Sequence, residues 1–146
     1  MTTTSTSLYI EFELGSERYA FSISSIQEII RLQAMTDIPN AMPAIRGVIN
    51  LRGSIIPIFS LRALFNQHPA ADTKETRIII VQAGHKTVGL SVDRVCQVVS
   101  FSEIKPGSES FGDRDRPLLS SIGRVDNRYV GILDVQELFS KRSESL

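Results

Sequence analysis

The side chains that most often carry out catalysis are scarce in this sequence and lie far apart. Its two histidines, His68 and His85, fall in polar stretches typical of loops, and neither belongs to a Ser/His/Asp pattern that could activate a nucleophile. The single cysteine, Cys96, falls at an alternating apolar position, where packing in the core is the simpler interpretation. No pattern of residues predicts catalysis, and we expect no enzymatic activity.

Sites for metals and phosphate groups are not indicated by residue spacing either. A single cysteine excludes an internal disulfide, and the sequence has no CxxC motif or Cys/His cluster that would hold zinc. The glycines of "GVINLRG", residues 47–53, are not followed by Lys-Ser or Lys-Thr and do not lie between a strand and a helix. We therefore expect no cofactor.

Two arginines interrupt a strongly apolar stretch, "IRGVINLRGSIIPIFSL", at residues 45–61. Each arginine is followed by a glycine, in the pairs Arg46-Gly47 and Arg52-Gly53. If both pairs lie at hairpin ends, the glycines relax the backbone and the guanidinium groups simply face water. We favour this interpretation for Arg46 and leave the role of Arg52 open at this point.

The charge balance argues against nucleic acids and membrane surfaces as partners. The 146 residues include 16 basic and 16 acidic side chains and no tryptophan, so neither excess positive charge nor many aromatic platforms are available to bind a polyanion. No apolar run approaches the roughly 20 residues of a membrane helix, and "MTTTSTS" lacks the regions of a signal peptide. We expect a cytoplasmic chain without nucleic-acid binding or membrane insertion.

Alternation of apolar residues with period two predicts a mainly β fold. In residues 8–14, apolar side chains occupy every second position, and Tyr9, Glu11 and Glu13 occupy the positions between. A turn at residues 15–17 leads into a second alternating run. The same pattern recurs as a second hairpin over residues 77–92.

The two hairpins are part of a longer internal repeat. A shift of 69 residues superposes residues 9–32 on residues 78–101, and a shift of 74 residues superposes residues 55–65 on residues 129–139. Hairpin geometry alone can produce such agreement, but we favour duplication of one unit.

The repeat divides the chain into two units, a connector and two polar tails. Each unit is expected to form a small β-barrel that ends in a short helical turn, with Ser60 and Asp134 as N-caps. The tails are expected to fray because they lack apolar anchors. The ranges of the units, the connector and the tails are 8–65, 77–139, 66–76, 1–7 and 140–146.

Four stretches of the sequence together resemble one known family. They read "YAFSISSIQEII", "IRGVINLRGSIIPIFSLRALF", "VGLSVDRVCQVV" and "IGRVDNRYVGILDVQELF". On these motifs the chain resembles the CheW family of chemotaxis coupling proteins, over nearly all of residues 8–139. The resemblance implies a single CheW-like domain, residues 1–146, made of two SH3-like five-stranded β-barrel subdomains around a shared hydrophobic core. It also implies the absence of catalytic activity.

The resemblance implies partners and contact residues as well. Proteins of this family are adaptors that link the cytoplasmic tip of transmembrane chemoreceptors to the regulatory domain of the histidine kinase CheA. Their CheW-like domains also form ring contacts in arrays at the membrane. Family positions that contact the receptor correspond to Ile26, Glu28 and Arg52, and those that contact the kinase correspond to Lys105 and Phe111. The alternative is a scaffold of a pilus-motility or other chemosensory-type pathway.

Glu28 also has a purely local interpretation. Residues 25–28, "SIQE", fit a capping box, in which Glu28 would satisfy a backbone N–H at the start of a helix. Alternatively, Glu28 could pair with Arg52 across a groove, and the two roles could coexist.

Two features depart from the family pattern. Ser121 stands where the family usually has a glycine, and residues 108–117 form a loop of unusual charge. These departures put partner details in that region in doubt. A competing class, a small barrel that binds a ligand or nucleic acid, would need a basic aromatic groove that this composition does not favour.

Overall fold

The computed structural model describes residues 7–106 and 119–144, and the predicted mainly β fold is confirmed. A single 3-10 turn, Ile23–Ser25, precedes β3, and α1 and α2 each follow the second strand of a hairpin. The strands and helices are β1 (Tyr9–Leu14), β2 (Glu17–Ser22), β3 (Ile26–Arg31), β4 (Ile45–Leu51), β5 (Ser54–Ser60), α1 (Leu61–Leu64), β6 (Arg77–Ala83), β7 (Lys86–Val92), β8 (Arg94–Val99), β9 (Glu103–Pro106), β10 (Leu119–Val125), β11 (Arg128–Leu133) and α2 (Val135–Glu144).

The strands form two sheets, and each sheet takes strands from both units of the repeat. The first sheet has the order β8-β1-β2-β11-β10-β9, and the second has the order β3-β6-β7-β5-β4. Parallel pairs join the units, because β2 pairs with β11 and β5 pairs with β7. The expectation that each unit forms a barrel by itself is therefore wrong. Sequence alternation identifies hairpins, but it does not identify which hairpin lies beside which.

The internal repeat is nevertheless visible in the topology. Replacing each strand of the second sheet by its counterpart in the repeat gives β8-β1-β2-β11-β10, which is the order of the first five strands of the first sheet. The similarity extends to the sheet edges. Lys105 of β9 pairs with Ile122, and the residue that matches it, Thr36, forms an isolated bridge to Val48. The two sheets are thus related by the same shifts as the sequence.

A shared hydrophobic core lies between the sheets, as the family resemblance implies. It combines aromatic residues of the first hairpin with aliphatic residues of the second and with apolar residues of both helices. Its buried members include Phe12, Tyr19, Phe21, Leu61, Leu64, Ile79, Val81, Leu90 and Leu138. Because both hairpins and both helices contribute to one core, the position of each sheet depends on the other.

The opposite face of each sheet has its own interior, and the two interiors differ in one respect. In the second sheet this interior is a cluster of isoleucines, among them Ile78 and Ile80. In the first sheet the position that matches Ile80 is Glu11, whose side chain is fully buried. One sheet therefore surrounds an aliphatic cluster, and the other surrounds a carboxylate.

The predicted N-caps of both helices are confirmed. The Ser60 hydroxyl accepts a hydrogen bond from the backbone N–H of Ala63 at 3.1 Å, and the Asp134 carboxylate accepts one from Glu137 at 3.0 Å. Helix α2 continues to Glu144, five residues beyond the end of the second unit that the repeat indicates. Leu138 of this helix is buried in the shared core, and the hydrogen-bonded backbone continues past it.

The capping-box interpretation of Glu28 is wrong. Ile26–Arg31 is a strand, and the short 3-10 turn before it is capped by Ser22, whose hydroxyl accepts from the Ser24 N–H at 3.3 Å. The local signal was overridden because three isoleucines in this segment favour a strand that pairs with β6. Glu28 is therefore available for contacts outside its own backbone.

Candidate functional site

Arg52 lies at the tip of the β4–β5 hairpin, where the backbone adopts a conformation that few side chains tolerate. The φ angles are 51° at Arg52 and 89° at Gly53. In the described part of the chain, the other non-glycine residues with positive φ are Asn40, Asn66 and Asp126. Asparagine and aspartate tolerate this region because their short side chains bond the nearby backbone, whereas arginine gains no such bond. This costly placement favours a functional reason for an arginine at the tip.

Glu28 binds this arginine from a distant strand. Arg52 Nη2 donates a hydrogen bond to Glu28 Oε2, which joins edge strand β3 to the hairpin at the other end of the second sheet. The side chains are 70% exposed for Arg52 and 31% exposed for Glu28. The pairing that the sequence left open is thus present, and most of the guanidinium still faces solvent. Contact with a receptor remains a prediction for both residues.

Ile26 lies near this ion pair in the chain but on the other face of the sheet. It stands opposite Val81, whereas Glu28 stands opposite Ile80, and the register shifts between the two positions. Val81 belongs to the shared core and Ile80 to the interior of the second sheet. Ile26 is half-buried and packs against the shared core. Of the three receptor-contact candidates, the structure brings together Glu28 and Arg52.

Arg46, in contrast, does not simply face water, and that prediction is wrong. Arg46 Nη1 donates to Asp72 Oδ1 at 3.1 Å, and Nη2 donates to the second oxygen of the same carboxylate. The pair fastens the connector to β4, and 25% of the Arg46 side chain is exposed. The sequence gave no sign of this contact because Asp72 lies in a segment without periodicity.

Lys105, a predicted kinase contact, lies in a different sheet from Arg52. It belongs to β9, the edge strand of the first sheet, whose residues are all exposed. Its ammonium is 3.8 Å from the Glu103 carboxylate, a distance at which an exposed ion pair contributes little. Phe111, the second predicted kinase contact, and the loop at 108–117 lie outside the described residues. Ser121 stands opposite Pro106 within the β9–β10 pair.

The sequence analysis missed a buried carboxylate network. Arg128 donates two hydrogen bonds to Glu11, at 2.6 and 3.0 Å, Arg18 donates one at 2.7 Å, and Gln97 donates one at 3.2 Å. Burial raises the pKa of Glu11, but the hydrogen bonds from Arg128, Arg18 and Gln97 outweigh it and leave the pKa below its ordinary value. The signal was available, because the repeat superposes Glu11 on Ile80.

Cys96 lies beside this network and not in the core, which corrects a second prediction. The pairing of β8 with β1 passes from Gln97 to Val95 and skips Cys96, so the alternation is broken there. Val95 packs against the shared core, and Cys96 is half-buried. Burial raises the pKa of the Cys96 thiol, so the structure provides no activation of this sulfur.

A second ion pair ties α1 to the first hairpin. Arg62 donates to both oxygens of Asp93, at 3.0 and 2.6 Å, and Asp93 also accepts the backbone N–H of Gly15 at 2.8 Å. Burial raises the pKa of Asp93, but the bonds from Arg62 and Gly15 lower it below its usual value. In the matching position of the repeat, Gln136 accepts from the Gly84 N–H directly at 3.0 Å. Both helices thus hold the turn of a hairpin.

These carboxylates predict that the fold loses stability in acid. The pKa values of Glu11, Glu13 and Asp93 are lower in the folded chain than their ordinary values. The stability they contribute is therefore present above the unfolded pKa of about 4 and is lost as pH falls through the folded values. Urea unfolding at a series of pH values from about 6 to 2 should show a falling free energy of unfolding. A flat profile would contradict the assignment, and Glu11→Gln should make the profile shallower.

A cleft of about 230 Å³ lies between the connector and α1, away from the candidate residues. Its wall contains both the Arg46–Asp72 and the Arg62–Asp93 pairs, so its charges are already matched. Within residues 7–106 and 119–144, acidic, histidine and cysteine side chains form no group of three that could hold a metal ion. In the same ranges no helix has the length and apolar character needed to cross a membrane.

Comparison with known proteins gives a consistent result. Residues 8–143 match the family described as the CheW-like domain. The chain is 33% identical to the chemotaxis protein CheW of Klebsiella aerogenes, with 94% of this chain and 84% of that protein covered. It is also 33% identical to the chemotaxis protein CheW of Helicobacter pylori, over 91% of this chain and 81% of that protein. The crystal structure of the scaffolding protein TtCheW from Thermoanaerobacter tengcongensis superposes with a TM-score of 0.83 at 31% identity, covering 92% of each chain.

Proposed function

Because the chain belongs to the CheW-like family, we propose that it is a non-catalytic adaptor that couples chemoreceptors to a CheA-type histidine kinase. The observation that carries this proposal is the exposed Arg52, held at a positive φ and paired with Glu28. A strained, solvent-facing arginine oriented by a carboxylate suits a charge-assisted contact with the acidic or carbonyl-rich surface of a receptor's helical tip. Ile26, Glu28 and Arg52 form the proposed receptor contact.

Coupling requires two separate surfaces on a rigid body, and no chemistry in the chain itself. The proposed receptor contact lies on the second sheet, and Lys105 lies at the edge of the first sheet. The shared core between the sheets makes them one packed unit. A receptor that shifts the balance between kinase states would do so through the difference in binding free energy of this body for each state.

We assign kinase binding to Lys105 and Phe111 as part of the same proposal. The edge strand that carries Lys105 exposes all four of its residues, and Ile104 is 47% exposed. An edge with an exposed apolar side chain and a cation is suited to a second protein. The adaptor would work in the cytoplasm, recruited to receptor arrays at the membrane, and would also make ring contacts with other CheW-like domains. It would need no cofactor.

The two-surface arrangement can be tested with a double variant. Lys105→Glu combined with Phe111→Ala should weaken association with the regulatory domain of the kinase by about 1 to 3 kcal/mol, because truncation energies concentrate at buried aromatic anchors and reversed charges. Titration against a receptor cytoplasmic fragment should give the parent affinity. Equal losses for both partners in a folded variant would show one shared face, and the adaptor proposal would fail.

A further inference from the structure

Asn50 holds the hairpin tip on which Arg52 stands. Its side-chain oxygen Oδ1 accepts a hydrogen bond from the backbone N–H of Gly53 at 2.9 Å. Asn50 is exposed and faces Ile55 across the hairpin, so this bond spans the whole turn. Bonds of this kind, from an asparagine side chain to a backbone N–H a few residues later, are local devices that fix turns.

The matching hairpin of the repeat solves the same problem differently. The shift of 74 residues places Arg124 on Asn50 and Asp126 on Arg52, and each hairpin closes through two residues, after Leu51 in one and Val125 in the other. The tip residue of the second hairpin, Asp126, has a φ of 54°, close to the 51° of Arg52. There the left-handed position is occupied by a residue type that tolerates it. In the β4–β5 hairpin the tolerant residue type stands two positions earlier, and the tip is occupied by arginine.

We propose that Asn50 is a positioning residue for partner binding: its bond to Gly53 holds the tip in the left-handed conformation that presents Arg52 beside Glu28. This inference rests on the proposed function, because it assumes that Arg52 contacts the receptor. Asn50 itself need not touch the partner. Its contribution is to keep the backbone of the tip ordered before binding, so that less conformational entropy is lost when the complex forms.

The geometry gives Arg52 little other support. Its side chain is 70% exposed and its charged partner is Glu28, which lies 24 residues earlier in the chain. An arginine held only at the end of its side chain would leave the turn free to leave the strained region. The Asn50 bond acts on the backbone, whereas the Glu28 bond acts on the guanidinium. Together they fix both ends of the arginine.

The test is a double-mutant cycle measured by titration with a receptor cytoplasmic fragment. The variants are Asn50→Ala, Arg52→Ala, the two combined, and Asn50→Asp, which keeps an acceptor oxygen. Asn50→Ala should weaken binding about fivefold, the effect of one lost turn hydrogen bond, and Asn50→Asp should stay within about twofold of the parent. When Arg52 is already alanine, Asn50→Ala should change the affinity by less than about twofold.

A second measurement follows the turn itself, without a partner. Amide hydrogen exchange at Gly53 should become faster in Asn50→Ala and stay near the parent rate in Asn50→Asp, while the melting temperature shows that each variant is folded. Unchanged exchange in Asn50→Ala would overturn the positioning role.

The outcomes separate this inference from the function on which it rests. If Arg52→Ala weakens binding and Asn50→Ala does not, the role of Asn50 is wrong and the receptor contact stands. Equal losses from Asn50→Ala in both backgrounds would show that Asn50 acts independently of Arg52, which would also overturn the inference. If Arg52→Ala itself binds like the parent, the proposed receptor contact fails first.

Discussion

Arg52→Glu is expected to weaken binding of a receptor cytoplasmic fragment by about 1 to 3 kcal/mol, or roughly 5- to 150-fold, and to leave the fold intact. The substitution reverses a charge on a side chain that is 70% exposed and touches no core residue. It also places a second carboxylate beside Glu28, so the loss combines a missing attraction with a new repulsion. Isothermal titration with the folded variant measures the effect directly.

A companion variant separates binding from stability at the same position. Arg52→Asn installs a residue type that tolerates a φ of 51°, so the melting temperature should stay level or rise while receptor affinity falls. Arg124→Glu is a suitable control, because Arg124 is exposed on the matching hairpin of the other sheet. Parent-like affinity of both Arg52 variants would remove Arg52 from the receptor contact. A loss of the same size from Arg124→Glu would show that only net charge matters.

Arg128→Met is expected to lower the free energy of unfolding by about 2 kcal/mol at pH 7. Removing one partner of a buried ion pair leaves an uncompensated charge, which typically costs about 3 to 5 kcal/mol. We expect less here because Arg18 and Gln97 still donate to Glu11. The measurement is urea unfolding, and Arg124→Met, which removes an exposed arginine, should change the free energy by less than about 0.5 kcal/mol.

The second sheet suggests how to reverse this loss. Ile80 occupies the position that matches Glu11, so Glu11→Ile introduces a side chain that the same architecture already accommodates. In the Glu11→Ile background, Arg128→Met should cost less than about 1 kcal/mol, because no buried charge is left without a partner. A cost that is the same in both backgrounds would show that Arg128 stabilises the fold by packing and not by binding Glu11.

Much of the fold could be predicted from local patterns. The hairpins follow from period-two alternation with Gly15 and Gly84 at the turns, and the helix N-caps at Ser60 and Asp134 follow from residue type. The exchange of strands between the units could not be predicted in this way. Parallel pairing of β5 with β7 depends on contacts between distant parts of the chain, and each hairpin carries an apolar face that would fit more than one neighbour.

The candidate site was predicted only in part, for a related reason. The Glu28–Arg52 pair was one of two alternatives, and the capping box seemed equally consistent because "SIQE" carries a helix signal that strand pairing overrides. The positive φ of Arg52 had no signal in the sequence, since arginine is not typical of that conformation. Glu11 illustrates the converse, because its burial depends on Arg128, which lies 117 residues away.

The strand exchange between the units has a consequence for synthesis on the ribosome. When residues 1–76 have been made, β1 and β2 can pair with each other, but β8 and β11, which flank them in the finished sheet, do not yet exist. The same holds for β3, whose neighbour β6 begins at Arg77. Neither sheet can be completed before the second half has left the exit tunnel, so folding of the nascent chain is largely post-translational. An ancestral half-length polypeptide with this strand order would have needed a second copy to complete either sheet, and would have existed as an interlocked pair before the two copies became one chain.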